Sequence, residues 1–115
     1  MKRTDTTYLQ HILDAVLKVE SYLEGMDEAA FGADSRTQDA VVRRLEIIGE
    51  ATKKLSQDTR QRSPDTRWQD IAGTRDKLIH DYFGVDLHRV WNMAQRDLAE
   101  LKNTVRRLID EDHRP

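Results

Sequence analysis

The stretch from Arg75 to Tyr82 gathers three side chains whose chemistry suits the cleavage of a phosphodiester bond. Arg75 is permanently charged, and its planar guanidinium matches the shape of a phosphate group. His80 has the side chain type that takes up or releases a proton near neutral pH. Tyr82 can donate a hydrogen bond or stack on a base. These residue types predict metal-free cleavage of RNA, because the RNA 2′-hydroxyl is itself the nucleophile and the protein supplies only proton transfer and charge stabilisation.

The spacing of these residues on a helix does not by itself assemble a site. Five residues along a regular α-helix correspond to one turn plus about 140°, so Arg75 and His80 point to different faces. Either the helix unwinds before Gly84, or two copies of the segment meet across a dimer. A simpler interpretation also exists, in which His80 offsets the negative end of a helix dipole and Asp76, four residues earlier, holds it there.

The elements that must position this segment are all predicted to be helices. Leu, Ala, Glu, Arg and Lys are abundant, whereas the chain has only two prolines and five glycines. Apolar residues recur at helical spacing, and Ser35-Arg36-Thr37-Gln38 has the pattern of a capping box. We expect an all-α bundle of about four main helices plus short helical pieces, forming a single domain over residues 1–115. The predicted helical segments cover about residues 5–24, 26–33, 35–55, 64–70, 74–82 and 86–110.

Composition limits the classes of function. The chain of 115 residues has no cysteine, which excludes disulfides, thiol catalysis and cysteine-based metal sites. No segment has the apolar run of a signal peptide or a membrane span, so a cytoplasmic protein that does not associate with membranes is expected. The net charge of −2 argues against bulk electrostatic binding of nucleic acid, although residues 35–69 carry eight basic and five acidic side chains.

A wider set of residues resembles a known family. The spacing Arg75-x4-His80-x-Tyr82, called the signature below, is similar to that of the HEPN superfamily, and its flanks resemble the HepT-like toxins. The likeness extends over nearly the whole chain. It is carried by Arg44-Leu-Glu-Ile-Ile-Gly-Glu-Ala51, Trp68-Gln-Asp-Ile-Ala-Gly73, Asp81-Tyr-Phe-Gly-Val-Asp86 and Val90-Trp91.

This resemblance implies a fold, an activity and a partner. Members are all-helical two-fold homodimers whose signature residues face a shared cleft, and they act as RNA endonucleases without a metal or another cofactor. They are encoded beside a minimal nucleotidyltransferase antitoxin, which is expected to transfer AMP to the signature tyrosine. By position, Arg75 and His80 are then catalytic and Tyr82 accepts AMP. Asp76 and Asp81 flank the signature and are candidates for orienting His80.

Acidic residues and histidines outside the signature offer weaker candidate sites. Glu46 and Glu50 stand four residues apart, but no histidine is placed to complete a metal site with them, and pairing with neighbouring basic residues is expected. His11, His88 and His113 are scattered along the sequence. Two alternative functions stay open: a non-catalytic partner of a nucleotidyltransferase that binds a nucleotide or accepts AMP, and a dimeric interaction module.

Overall fold

The computed structural model describes residues 3–74, 76 and 86–113, and every regular element within these ranges is helical. Within them, no helix is both long enough and apolar enough to cross a membrane. The helices are α1 (Arg3–Leu23), α2 (Glu28–Gly32), α3 (Ser35–Lys53), α4 (Gln57–Gln61), α5 (Trp68–Ala72), α6 (Leu87–Asn92), a π-helix (Met93–Asp97) and α7 (Leu98–Asp112).

The core lies between α1, α3 and α7, as the periodicity of their apolar residues predicts. Both α3 and α7 pack against α1, and one apolar stripe of each helix is withdrawn from water. Gly25 follows the end of α1 with φ +77°, a conformation that glycine adopts without steric cost. The three long helical segments predicted from the sequence are therefore confirmed, with ends that differ by at most two residues from those predicted.

The N-cap of α3 is Asp34, so the capping box predicted from Ser35 is wrong by one residue. The carboxylate of Asp34 accepts hydrogen bonds from the backbone N–H of Thr37 at 3.1 Å and from its hydroxyl at 2.8 Å. These two bonds, the backbone one first, hold the pKa of Asp34 below its ordinary value. A carboxylate is a stronger acceptor than the Ser35 hydroxyl, and the Gln38 amide donates instead to two carbonyls of α2, at 2.9 and 3.0 Å.

Ser63 and Pro64 lie in a turn, so the helix predicted to begin there begins four residues later, at Trp68. The backbone N–H of Thr66 donates to the carbonyl of Ser63 at 3.1 Å, and the two hydroxyls are 2.7 Å apart. These contacts close a turn over Ser63–Thr66, just before α5. A proline suits such a turn as well as it suits the first turn of a helix, which is why the sequence alone misplaced this start.

The short helix α4, which the sequence analysis missed, is held by a carboxylate from the other end of the chain. Asp5 on α1 is only 2% exposed. It accepts hydrogen bonds from the backbone N–H of Ser56 at 2.9 Å, from the Ser56 hydroxyl at 2.6 Å and from the Thr59 hydroxyl at 2.8 Å. Ser56 is also the N-cap of α4. Asp5 thus fixes both the position and the start of this helix.

The last helical stretch contains a π-helix that the prediction did not include. Asp86 caps its start as predicted, accepting from the backbone N–H of Arg89 at 3.1 Å. Val90, Ala94 and Leu98 are all buried, although two successive steps of four residues drift by roughly 80° on a regular α-helix. The wider i→i+5 turn over Met93–Asp97 absorbs this drift and keeps all three side chains in the core.

Side-chain hydrogen bonds join α1 and α7 near both ends of their contact. The hydroxyl of Thr6 donates to the Asp112 carboxylate at 2.8 Å, and the ammonium of Lys102 donates to Glu20 at 2.7 Å. The first pair joins the start of α1 to the end of α7, and the second joins the end of α1 to the first half of α7. The two helices therefore run antiparallel with a fixed register.

Candidate functional site

The predicted site residues divide between the described and undescribed parts of the chain. Arg75, His80, Asp81 and Tyr82 lie outside the described residues, so their roles and their mutual geometry stay predictions. Asp76 is described, as are the residues on either side of the interval 75–85. The surroundings of the signature can therefore be built from these flanks.

Trp68 anchors the chain that leads into the signature. Its side chain is 6% exposed, and the indole N–H is shared between the carbonyl of Arg60 at 3.1 Å and that of Ser63 at 3.0 Å. A buried indole is stable only when its N–H finds a partner, and the two acceptors here belong to α4 and to the turn that precedes α5. The position of α5 is thus fixed at its first residue.

Thr74, the residue immediately before Arg75, is also held in place. It is 5% exposed, and its hydroxyl donates to the carbonyl of Asp70 at 3.3 Å. The backbone N–H of Gly73 donates to the carbonyl of Gln69 at 2.9 Å and closes α5. The chain therefore enters the signature from a buried and hydrogen-bonded residue.

Asp76 contacts a residue at the end of α3. Its carboxylate oxygen is 3.7 Å from the ammonium of Lys53, and both side chains are largely exposed. Such an exposed pair contributes little stability, because water screens it. The contact shows that the beginning of the signature lies beside the end of α3. The predicted role of Asp76 in orienting His80 is neither supported nor opposed by it.

The chain that leaves the signature is fixed by α2 and α6. His88 Nδ1 is 2.6 Å from a carboxylate oxygen of Glu28, and its Nε2 is 3.0 Å from the amide nitrogen of Asn92. These distances fit a ring that donates from Nδ1 and accepts at Nε2. The sequence analysis saw no partner for His88, because Glu28 lies sixty residues away along the chain.

A groove of about 910 Å³ lies beside both flanks of the signature. One wall is the chain from Ser63 to Thr74. The opposite wall, called the long wall below, consists of α6, the π-helix and the first half of α7. Thr74 and Asp86, which bracket the interval 75–85, both line the groove. A ligand bound in it would therefore lie next to both ends of the signature segment.

The groove is polar and of mixed charge, which suits a charged, hydrogen-bonding ligand better than an apolar one. The arginines among its described lining residues are Arg67, Arg89 and Arg96. Arg67 faces Asp70 at 3.9 Å, whereas the other two form no ion pair within the described part of the chain. Sequence reasoning did not select Arg89 or Arg96. The sequence feature that could have identified them is their helical spacing, which places both on the face of the helix opposite the buried apolar stripe.

A metal site at Glu46 and Glu50 finds no support. Glu46 pairs with Arg43 at 3.5 Å, as expected from the sequence, and Glu50 also has an interaction partner. Across residues 3–74, 76 and 86–113, no three acidic or histidine side chains are grouped closely enough to hold a metal ion. The position of the Glu46 carboxylate is thus explained by its ion pair with Arg43.

The described elements form the all-helical bundle that the resemblance implied. A family model described as ribonuclease HepT-like matches residues 12–108. The chain belongs to this HepT-like ribonuclease family, so the resemblance stated from the sequence is confirmed.

Individual relatives cover the chain almost completely. It is 40% identical over 108 residues to the "Probable ribonuclease HepT" of Thermococcus cleftensis, covering 94% of this chain and 98% of that protein. It is 37% identical to a "Putative RNase" of Methanocaldococcus jannaschii, covering 96% and 95% of the two chains. A further protein of that organism, named gamma-glutamylcyclotransferase and putative RNase, is 38% identical over 96% of this chain, which spans 50% of that protein's length. No solved structure matches.

Proposed function

We propose that this protein is a metal-independent RNA endonuclease and the toxin of a toxin–antitoxin pair. The observation that carries the proposal is membership of a ribonuclease family by a chain in which all three signature positions are filled. The printed names of its relatives point to the same activity. The polar groove beside the signature gives an RNA strand a place to lie.

In the proposed reaction the RNA supplies the nucleophile. His80 takes the proton of the 2′-hydroxyl, the 2′-oxygen bonds to the adjacent phosphorus, and the bond from phosphorus to the 5′-oxygen breaks. Arg75 stabilises the negative charge that builds on the phosphate during this exchange. The products are a 2′,3′-cyclic phosphate and a 5′-hydroxyl. The leaving 5′-oxygen also needs a proton, which the His80 of a second copy would donate if the protein forms the two-fold dimer that the resemblance implies.

The direct test is cleavage of RNA in the presence of excess EDTA. Purified protein, shown by intact mass to carry no adduct, is incubated with total cellular RNA, and we expect discrete fragments ending in cyclic phosphates. The same digestion with added Mg²⁺ is the comparison, and it should be no faster. Cleavage that requires Mg²⁺ would contradict the mechanism. No cleavage of any RNA would favour the alternative of a non-catalytic partner of a nucleotidyltransferase.

We further propose that a minimal nucleotidyltransferase antitoxin silences the protein by transferring AMP to Tyr82. In this step the phenolic oxygen of Tyr82 bonds to the α-phosphorus of ATP, pyrophosphate leaves, and the phenolic proton is released. The adduct adds a negative charge and a nucleobase two residues from His80. It would occupy the space and the cationic partners that the RNA phosphate needs.

Replacing Tyr82 by phenylalanine tests this regulation. Incubated with the nucleotidyltransferase and ATP, the wild-type protein is expected to gain the mass of one AMP and to lose most of its nuclease activity. Tyr82→Phe should gain no mass and should cleave RNA equally fast with and without the nucleotidyltransferase, because it lacks the acceptor oxygen. Tyr22→Phe, on α1, is the matched control and should be modified like the wild type. Undiminished modification of Tyr82→Phe would place the acceptor elsewhere.

A further inference from the structure

The long wall of the groove presents two arginines that the signature does not include. Arg89 on α6 and Arg96 in the π-helix are both exposed, and both line the groove. We propose that Arg89 and Arg96 form a binding subsite for the backbone phosphates of the RNA strand on one side of the cleaved bond. The proposal rests on the nuclease function proposed above and names residues that hold its substrate.

The π-helix explains why Arg96 lies on this wall. Ala94 and Leu98 flank Arg96 and are 9% and 4% exposed. The wide turn keeps these two neighbours in the core while Arg96 lines the groove with Met93. A π-turn is less favourable than a regular α-turn and occurs frequently at functional sites. The π-turn lies where the helix borders the groove, and no other described part of α6 or α7 contains one. The same turn therefore serves core packing and places Arg96 at the groove.

Spacing and charge fit a nucleic-acid strand. Seven residues separate the two arginines, and at 1.5 Å per residue this is about 10 Å along the helix, or two to three nucleotides of a stacked strand. Neither arginine forms an ion pair among the described residues, so neither guanidinium has to give up a described carboxylate to bind a phosphate. Arg67 across the groove differs, because Asp70 lies 3.9 Å from it.

Acidic residues on the same wall limit where the strand can run. Asp97 directly follows Arg96, Glu100 stands four residues beyond Arg96, and both acidic residues line the groove. A carboxylate at either position repels a phosphate, so the cationic stretch of the wall ends at Arg96. Removing the charge of Glu100 should therefore extend the favourable path, an effect of opposite sign to the loss of Arg96.

The test measures binding of an RNA that cannot be cleaved. A fluorescein-labelled single-stranded 2′-O-methyl oligonucleotide lacks the nucleophile, so the signature can stay intact while binding is followed by fluorescence anisotropy at several salt concentrations. For Arg96→Ala we expect about tenfold weaker binding and a slope of log affinity against log salt that is less steep by about 0.7, the value for one lost phosphate contact on a single strand. Glu100→Gln should bind more tightly than wild type.

A matched control lies about three turns further along the same helical stretch. Arg106 on α7 is exposed, forms no ion pair among the described residues and does not line the groove. Arg106→Ala should bind like wild type, and Arg96→Lys should recover much of the affinity because it restores the charge. In cleavage assays Arg96→Ala should raise KM and leave kcat nearly unchanged.

The experiments distinguish a failure of the proposed subsite from a failure of the proposed nuclease function. If wild type cleaves RNA but Arg96→Ala and Arg106→Ala bind the oligonucleotide equally, with equal salt slopes, the subsite is wrong and the nuclease stands. If wild type binds the oligonucleotide through Arg96 but cleaves no RNA, the nuclease is wrong and the subsite stands. If wild type binds no RNA, both proposals are overturned.

Discussion

Replacing His80 by alanine is expected to lower the rate of RNA cleavage by roughly 10²–10⁴-fold, the usual contribution of a positioned acid or base. The loss follows from the proposed reaction, in which no other group of the signature can accept the 2′-hydroxyl proton near neutral pH. The measurement is the single-turnover rate on an end-labelled RNA in EDTA. Binding of the 2′-O-methyl oligonucleotide should change little, because the substitution removes proton transfer and not the phosphate contacts.

Two variants make this prediction specific. His11 on α1 is exposed, with its ring 6.0 Å from that of Tyr8, so His11→Ala controls for the loss of any surface histidine. It should cleave RNA like wild type. Arg75→Lys keeps a positive charge but loses the bidentate fork, and we expect a rate between those of wild type and Arg75→Ala. Equal rates for wild type and His80→Ala would remove His80 from the mechanism, whatever the behaviour of Arg75.

The long helices could be predicted from the sequence because their determinants are local. An apolar stripe repeated over four or more turns specifies both the helix and its buried face, as on α1 and α7. Gly25 and Asp86 mark helix ends by their own conformational and hydrogen-bonding preferences. For such elements the tertiary structure adds little to what each segment already prefers.

Short elements depended on contacts that the sequence does not display. The start of α3 offers Asp34 and Ser35 side by side as caps, and the stronger acceptor Asp34 is the cap while Gln38 donates to α2. The polar stretch of α4 has no apolar periodicity, and its start is satisfied by Asp5, fifty-one residues from Ser56. The π-helix was accessible in principle, since two consecutive steps of four between Val90 and Leu98 do not fit a regular helix.

The candidate site was found through a combination of residues rather than through geometry. Helical spacing places Arg75 and His80 on different faces, so no argument from local structure could join them, and the resemblance carried the assignment. The groove and the arginines that line it needed the fold, because Arg67 and Arg96 belong to elements that are distant in sequence. Sequence patterns thus named the chemistry, whereas tertiary packing supplied the surface beside it.

The largest expected effect on stability comes from Asp5→Ala. The substitution removes a buried carboxylate that accepts three hydrogen bonds from Ser56 and Thr59, and leaves those donors without their acceptor. A hydrogen bond to a charged group contributes about 1.5–3 kcal/mol to stability, and donors that stay buried without an acceptor add a desolvation cost. We therefore expect the free energy of unfolding to fall by about 3 kcal/mol. Urea unfolding followed by circular dichroism measures it, and Tm should fall by roughly 10 °C.

The effect of Asp5 is large because its hydrogen-bond partners, Ser56 and Thr59, belong to the start of α4 and not to its own helix. Asp14, on the same helix, is exposed and accepts from Gln10 at 3.0 Å, so Asp14→Ala should stay within about 0.5 kcal/mol of wild type. If Asp5 stabilises the fold through α4, then Asp5→Ala and Ser56→Ala must be non-additive in a double-mutant cycle, because both remove the hydrogen bond from the Ser56 hydroxyl to the Asp5 carboxylate. Additive losses would mean that Asp5 acts within α1 alone, and that α4 owes its position to the Trp68 anchor instead.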